Sequence, residues 1–437
     1  MPGRVIVTNG SVVTLDDANT AFFPGHVVTE GNRITAVGEG PYTGPLGPTD
    51  VTVDATGQVV MPGLVDLHYH TALAKGFSDH LPLWEYLDQY WYPLIRQLDD
   101  DAAYWAAMVS YAESLRGGVT TVNDMYRKVP SLAQAAARIG IRAVLSNDIV
   151  SPQNNIDTID DNREAYRLAH GAGDGRVEVY VGFEWLPLGD ADLLAQVRAL
   201  ANELGTGIHI HLNESLTEVE DALKRFGKRP AQLAGEQGVL GSDCVAAHCV
   251  WLDDDEIATM AATGTSISHN PSSNAKLGNG VARLPEMLAA GINVGVGHDA
   301  AECNNSRDLF QVMKFAGTIH RAVRQDSSLT PAEQVVRMAT RNGSRALHHE
   351  TGSLEVGKVA DLIVIETRLP EMTPLIPGNL EHIYSHLVYA ANASMVTTTI
   401  VDGRIVMRDR KLTFADEAEV VAKANEAFLR VLRRIEG

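Results

Sequence analysis

Residues 63–70 read GLVDLHYH, a short apolar run that ends in two histidines one residue apart. Its length and its Pro-Gly lead-in predict a buried strand of a parallel sheet. Side chains at i and i+2 of a strand leave the same face. His68 and His70 can therefore aim two imidazoles at one point. A strand built for packing alone would continue in Val, Ile, Leu and Ala.

Seven further runs share this texture: GVTTVNDM (118–125), IRAVLSND (141–148), VEVYVGFEW (177–185), GIHIHLNE (207–214), CVAAHCV (244–250), TSISHNP (265–271) and INVGVGHDA (292–300). Amphipathic stretches such as 101–117 and 190–205 lie between them. Eight strand–helix repeats over residues 61–350 predict an α/β protein, a (β/α)8 TIM barrel with its chemistry at the C-terminal strand ends. The first connection, 71–118, is long and aromatic, a candidate lid. Residues 1–60 and 351–437 carry short β-branched segments broken by Asn-Gly, Glu-Gly and Thr-Gly turns. They predict a small β-sandwich domain built from both termini, with a helix of roughly 20 residues closing the chain.

The 437 residues carry 36 Lys and Arg against 55 Asp and Glu, a formal charge of −19. Nucleic acid and anionic membranes favour basic surfaces, so neither is an expected partner. Three cysteines without paired spacing do not form a disulfide framework. Cys244 and Cys249 read as buried thiols. No basic segment precedes a long apolar run at the N-terminus, and no window of 18 apolar residues occurs. A cytoplasmic location is the expectation.

The polar residues interrupt the strands at one end. Strand 5 closes on His211, strand 6 on His248, strand 7 on His269 and strand 8 on His298-Asp299. In a barrel these ends converge. His68, His70, His211 and Asp299 would form a three-nitrogen, one-oxygen shell with a position left for water, as a catalytic divalent ion requires. His26, His170, His320, His348, His349, His382 and His386 fall elsewhere and read as structural.

PGLVDLHYH, HLNES, AAHCV, HNPSSNAKLGNG and GVGHDAAECNNS resemble the amidohydrolase superfamily. The branch they resemble contains nucleoside and guanine deaminases, methylthioadenosine/S-adenosylhomocysteine deaminases and triazine hydrolases. The resemblance spans nearly the whole chain. It implies that His68, His70, His211 and Asp299 bind metal, that Glu214 shuttles protons and that His248 polarises substrate or water. No lysine ends strand 4 to form the bridging carbamate of binuclear relatives. One divalent ion is therefore expected, Zn²⁺ ahead of Fe²⁺, since nitrogen-rich sites separate the two poorly. The implied reaction is hydrolytic deamination of an amino-substituted nitrogen heteroaromatic ring, a purine, pterin, pyrimidine or s-triazine. Water ionised near neutrality attacks a ring carbon, Asp299 takes its proton, Glu214 protonates the ring nitrogen and ammonia leaves. The implied assembly is a homo-oligomer, a dimer or larger.

Substrate contacts are read from departures. Strand 4 ends in Phe183-Glu184-Trp185-Leu186-Pro187 where S-adenosylhomocysteine deaminases carry a His-Ala-Pro-Tyr type motif, which argues against a ribosylated substrate. Tyr86 stands where those enzymes carry Trp, with Trp84 displaced beside it. Both aromatics either stack on a planar ring or seal the pocket. Glu184 reads equally as a partner for substrate N–H groups, a salt-bridge member or a residue approaching the metal. Cys303, within a stretch resembling triazine chlorohydrolases and melamine deaminase, leans toward amine release. With His269 these make the substrate-binding set. Expulsion of chloride, an alkylamine or an alkylthio group by the same addition–elimination is the alternative, as is cyclic amide hydrolysis.

Overall fold

The apolar runs form eight parallel strands in the computed structural model, which describes residues 3–436 apart from 72, 78 and 377. They are β1 Leu64–His70, β2 Val119–Met125, β3 Arg142–Ser146, β4 in two pieces (Val177–Val179 and Val181–Phe183), β5 Ile208–Leu212, β6 Cys244–His248, β7 Ser266–His269 and β8, also in two pieces (Val294–Val296 and Asp299–Ala300). Hydrogen-bonded neighbours follow chain order, and Asp299–Ala300 pairs with Tyr69–His70 of β1. The strands form two five-stranded parallel arcs whose order matches that expected for a (β/α)8 barrel.

The arcs meet at the two broken strands. The first piece of β4 pairs with β3 and the second with β5. In β8, Val294–Val296 pairs with β7. The N–H of His298 then leaves the ladder for the Asp66 carboxylate, 2.9 Å away. Gly297 sits at this second break because the chain has no room for a side chain there. A Cβ would stand 2.5 Å from Ser268 Oγ and 2.7 Å from the His68 nitrogen.

The helices between strands begin where the sequence supplies caps. Asp99, Asp190, Ser215 and Asp253 each accept a backbone N–H of the first turn. The first connection is not an open loop: Leu83–Tyr86, Leu87–Trp91 and Tyr92–Arg96 form one helical run with a π-turn at its centre.

Strands from both termini form one nine-stranded sheet, eight of them in a single path and Val51–Asp54 paired beside Val5–Val13 off it, joined where Gln58–Pro62 pairs antiparallel with Leu362–Glu366. Val7, Val27, Ile34, Val60, Leu362 and Val364 give this sheet its own core. A buried bidentate pair from Arg142 to Asp361, at 2.9 and 3.1 Å, ties it to β3 of the barrel. Removing one partner of such a pair costs about 3–5 kcal/mol. One helix departs from the β-rich reading of residues 351–437: Leu380–Tyr389 packs on the helix Leu309–Arg324. The expected closing helix is Glu417–Glu436, which lies along Asp100–Arg116. Arg434 holds the latter by pairing with Asp99 at 2.7 Å. Among the described residues, no helix is long and apolar enough to cross a membrane.

Candidate active site

Hydrogen bonds on one ring nitrogen fix where each imidazole keeps its lone pair. His70 Nδ1–H donates to the Met125 carbonyl (2.6 Å), and His211 Nδ1–H donates to the Glu184 carbonyl. Both therefore present unprotonated Nε2 atoms, and these face each other at 3.1 Å. His68 Nδ1 lies 2.9 Å from His209 Nε2, and His209 Nδ1 lies 3.4 Å from Ser146 Oγ. This chain of donors leaves His68 Nε2 buried without a partner. Asp299 Oδ1 stands 3.5 Å from His68 Nε2 and 3.4 Å from His70 Nε2. Three lone pairs and a carboxylate oxygen facing one point with no hydrogen between them form the donor set of a cation. The site fits one metal ion, three nitrogens and one oxygen with room for a further ligand.

The electrostatics agree. Burial pushes His68, His70 and His211 below the ordinary imidazole range, so all three are neutral, the form that binds metal. Burial alone would raise Asp299. The surrounding imidazoles, His68 foremost, outweigh it and hold the carboxyl well below the usual carboxyl range. Ser273 Oγ donates to its other oxygen at 2.5 Å.

His248 and Asp299 share a backbone peculiarity, with φ of 70° and 71° in the left-handed region that most side chains avoid. Such strain clusters where a side chain must be aimed. His248 donates Nδ1–H to Asn274 Oδ1 (2.8 Å), which leaves its Nε2 3.9 Å from Asp299 Oδ2. Glu214 follows β5 on a segment held by the Glu218 carboxyl, which accepts the N–H groups of Asn213 (3.1 Å) and Glu214 (2.7 Å). Burial, then the charge of Asp299, pushes Glu214 well above the usual carboxyl range. Asn279 Nδ2 opposes this by donating to Glu214 Oε1 at 2.9 Å. Glu214 Oε1 lies 3.8 Å from His248 Nδ1.

A cavity of about 390 Å³, open mouth included, lies over these groups. Tyr86, Trp91 and Trp185 wall it, together with Leu83, Leu87 and Leu277. Glu184 and Cys303 also line it, as the sequence reading expected. Glu184 Oε1 accepts from Tyr92 OH (3.1 Å), while Oε2 is buried and unpartnered. Burial raises this carboxyl to about 8.

Two expected substrate contacts stand elsewhere. Trp84 is outside the lining and packs on Trp185, ring centroids 4.5 Å apart, because one helical turn carries it away from the face that Leu83 and Tyr86 present. His269 turns from the pocket to His320, Nε2 to Nε2 at 3.0 Å, in a buried pair. His320, read as unremarkable, is the partner that satisfies it. Sequence reasoning also passed over Trp91, Trp185, Asn274, Asn279 and His209. Only His209 carried a usable signal, since it stands two residues before His211 on the same strand face.

An amidohydrolase-family profile matches residues 59–406. The chain is 36% identical over 436 residues to the 5'-deoxyadenosine deaminase of Methanosarcina mazei, covering 99% of each. It is 36% identical over 430 residues to the 5-methylthioadenosine/S-adenosylhomocysteine deaminase of Syntrophomonas wolfei, covering 97% of this chain and 98% of that one. Among solved structures it resembles an adenosine deaminase from Xanthomonas campestris with bound zinc, at TM-score 0.91, 28% identity and 99% coverage of both chains. The chain belongs to the amidohydrolase family, hydrolases acting here on carbon–nitrogen bonds.

Proposed function

We propose that the protein is a metal-dependent hydrolytic deaminase of an amino-substituted nitrogen heteroaromatic ring, releasing ammonia. Purines and their nucleosides come first, ahead of pterins, pyrimidines and s-triazines. The observation that carries this reading is Glu214, a buried carboxylic acid set beside four metal ligands. A ring nitrogen must gain a proton when the neighbouring carbon is attacked, and Glu214 stands among the cavity-lining groups to give it. One divalent ion, Zn²⁺ ahead of Fe²⁺, held by His68, His70, His211 and Asp299, would supply a water that ionises near neutral pH.

The chain's own groups then move protons. Asp299 Oδ2, with His248 Nε2 at 3.9 Å, is placed to accept the water's proton. Glu214 delivers its proton to the ring nitrogen and spares the adduct an anionic charge. Transfer to the exocyclic nitrogen lets ammonia depart. Tyr86 and the walls Trp91 and Trp185 stack on the ring, Cys303 packs at its edge, and Glu184 Oε2 is offered to a substrate N–H. Among the described residues lining the cavity none is Lys or Arg, which weighs against substrates with a phosphate or carboxylate tail. The strand-4 end Phe183–Pro187, without the His-Ala-Pro-Tyr type motif, weighs against a ribosyl group, and the relatives named for nucleoside deamination weigh for one.

Ammonia release from adenosine, 5'-deoxyadenosine, guanine, pterin, isocytosine and melamine, with metal content measured in parallel, tests the proposal. One ring turned over with about one ion per chain is the expected result. Full metal, no ammonia from any ring, and chloride or alkylamine from substituted triazines would replace deamination with the triazine-hydrolase alternative.

A further inference from the structure

One segment, residues 270–279, reaches all three groups assigned to proton transfer. Ser273 Oγ meets Asp299, Asn274 Oδ1 takes the His248 Nδ1–H, and Asn279 Nδ2 donates to Glu214 Oε1. Asn279 is the one of the three that touches the carboxyl assigned as proton carrier. Its own place is fixed at both backbone atoms. Its N–H donates to the Asn274 carbonyl (2.8 Å), and its carbonyl accepts the Trp251 indole N–H (2.7 Å). The side chain is buried and cannot follow Glu214 if that carboxyl rotates.

We infer that Asn279 is a positioning residue that decides which oxygen of Glu214 carries the transferable proton. An amide N–H only donates. The carbonyl oxygen of a carboxylic acid accepts a hydrogen bond better than its hydroxyl oxygen does. A donor locked on Oε1 therefore makes Oε1 the carbonyl oxygen and leaves the acidic hydrogen on Oε2. One hydrogen bond of this kind biases the two arrangements roughly tenfold. It also holds the carboxyl in a single rotamer, so the proton leaves Oε2 and returns to Oε2 without a search. The inference rests on Glu214 being the proton carrier of the proposed reaction.

Infrared difference spectra of the metal-loaded protein test this without any turnover. The carboxyl band of Glu214 is the one missing in Glu214→Gln. In Asn279→Ala and the near-isosteric Asn279→Asp that band should move to the frequency of a carboxyl without an amide donor. A Glu214 band already at that frequency in the unaltered protein would overturn the inference, even if neither variant folds. So would a band left unmoved in a folded, metal-replete variant. On the ring found to release ammonia, Asn279→Ala should lower kcat by about 10-fold, with KM within about threefold, and Asn279→Asp should lower it further. Unchanged kcat in both variants would equally overturn the inference. If no ring is turned over, the deaminase reading fails and the infrared result still decides the role of Asn279.

Discussion

Replacing Gly297 by alanine probes the wedge between strand β8 and the metal shell. The added Cβ would stand 2.5 Å from Ser268 Oγ, 2.6 Å from Asn270 Oδ1 and 2.7 Å from the His68 nitrogen, where real contacts keep at least 3.0 Å. Ser268 can rotate its hydroxyl aside. The His68 backbone cannot, so β1 and β8 must part by about 0.3 Å at that point. Overpacking of this kind costs about 1–3 kcal/mol. The parting strands carry His68, His70 and Asp299, while a metal shell tolerates only about ±0.2 Å in its distances. Gly297→Ala should therefore weaken zinc binding by about 10–100-fold, the range for disturbing a residue behind a ligand. Zinc titration against a competing chelator gives the affinity, and a melting curve of the zinc-saturated protein gives the packing cost. Wild-type zinc affinity with an unshifted melting temperature would refute the claim that β8 is seated against His68 at this glycine.

Glu214→Gln should keep the metal, since Glu214 is not a ligand, and lower turnover at least about 10²-fold; activity near wild type would remove Glu214 from the mechanism. Glu184 is lifted to about 8 by burial, whereas an unfolded glutamate titrates near ~4.3. The folded state keeps a proton that the unfolded state loses between those values, so stability is greatest below ~4.3 and declines as pH rises toward 8. Glu184→Gln, which retains an acceptor for Tyr92, should flatten that decline in urea titrations; an identical decline would assign it to another group. His320→Leu leaves His269 Nε2 buried without its partner and should cost about 1–3 kcal/mol with KM unchanged. A raised KM there would return His269 to the substrate pocket.

What was legible in the chain was the part governed by strand alternation. His68 and His70 point together because they are two residues apart, and His211, His248 and Asp299 join them because parallel strands all end at one face. Glu214 is reached from His211 along three residues of chain. The illegible part depends on distant segments. The partner of His269 is 51 residues away on a helix, and no local pattern on either side announces the pairing. Asn279 meets Glu214 only because the segment after β7 folds back over β5, 65 residues earlier. Trp84 and Trp91 belong to one helical run, and its rotation, set by packing on Trp185, decides which aromatic faces the cavity.

The two breaks in the barrel wall give the metal shell a mechanical meaning. His68, His70 and Asp299 stand on the arc that runs from the second piece of β8 to the first piece of β4; His211 and His248 stand on the other. An ion bound by His68, His70 and Asp299 on one arc and His211 on the other would act as a rivet across two half-shells whose strand ladders are interrupted at residues 180 and 297–298. Chelation would free the halves to shear along those seams. Amide exchange should then rise first at Tyr180 and His298, ahead of the strand centres.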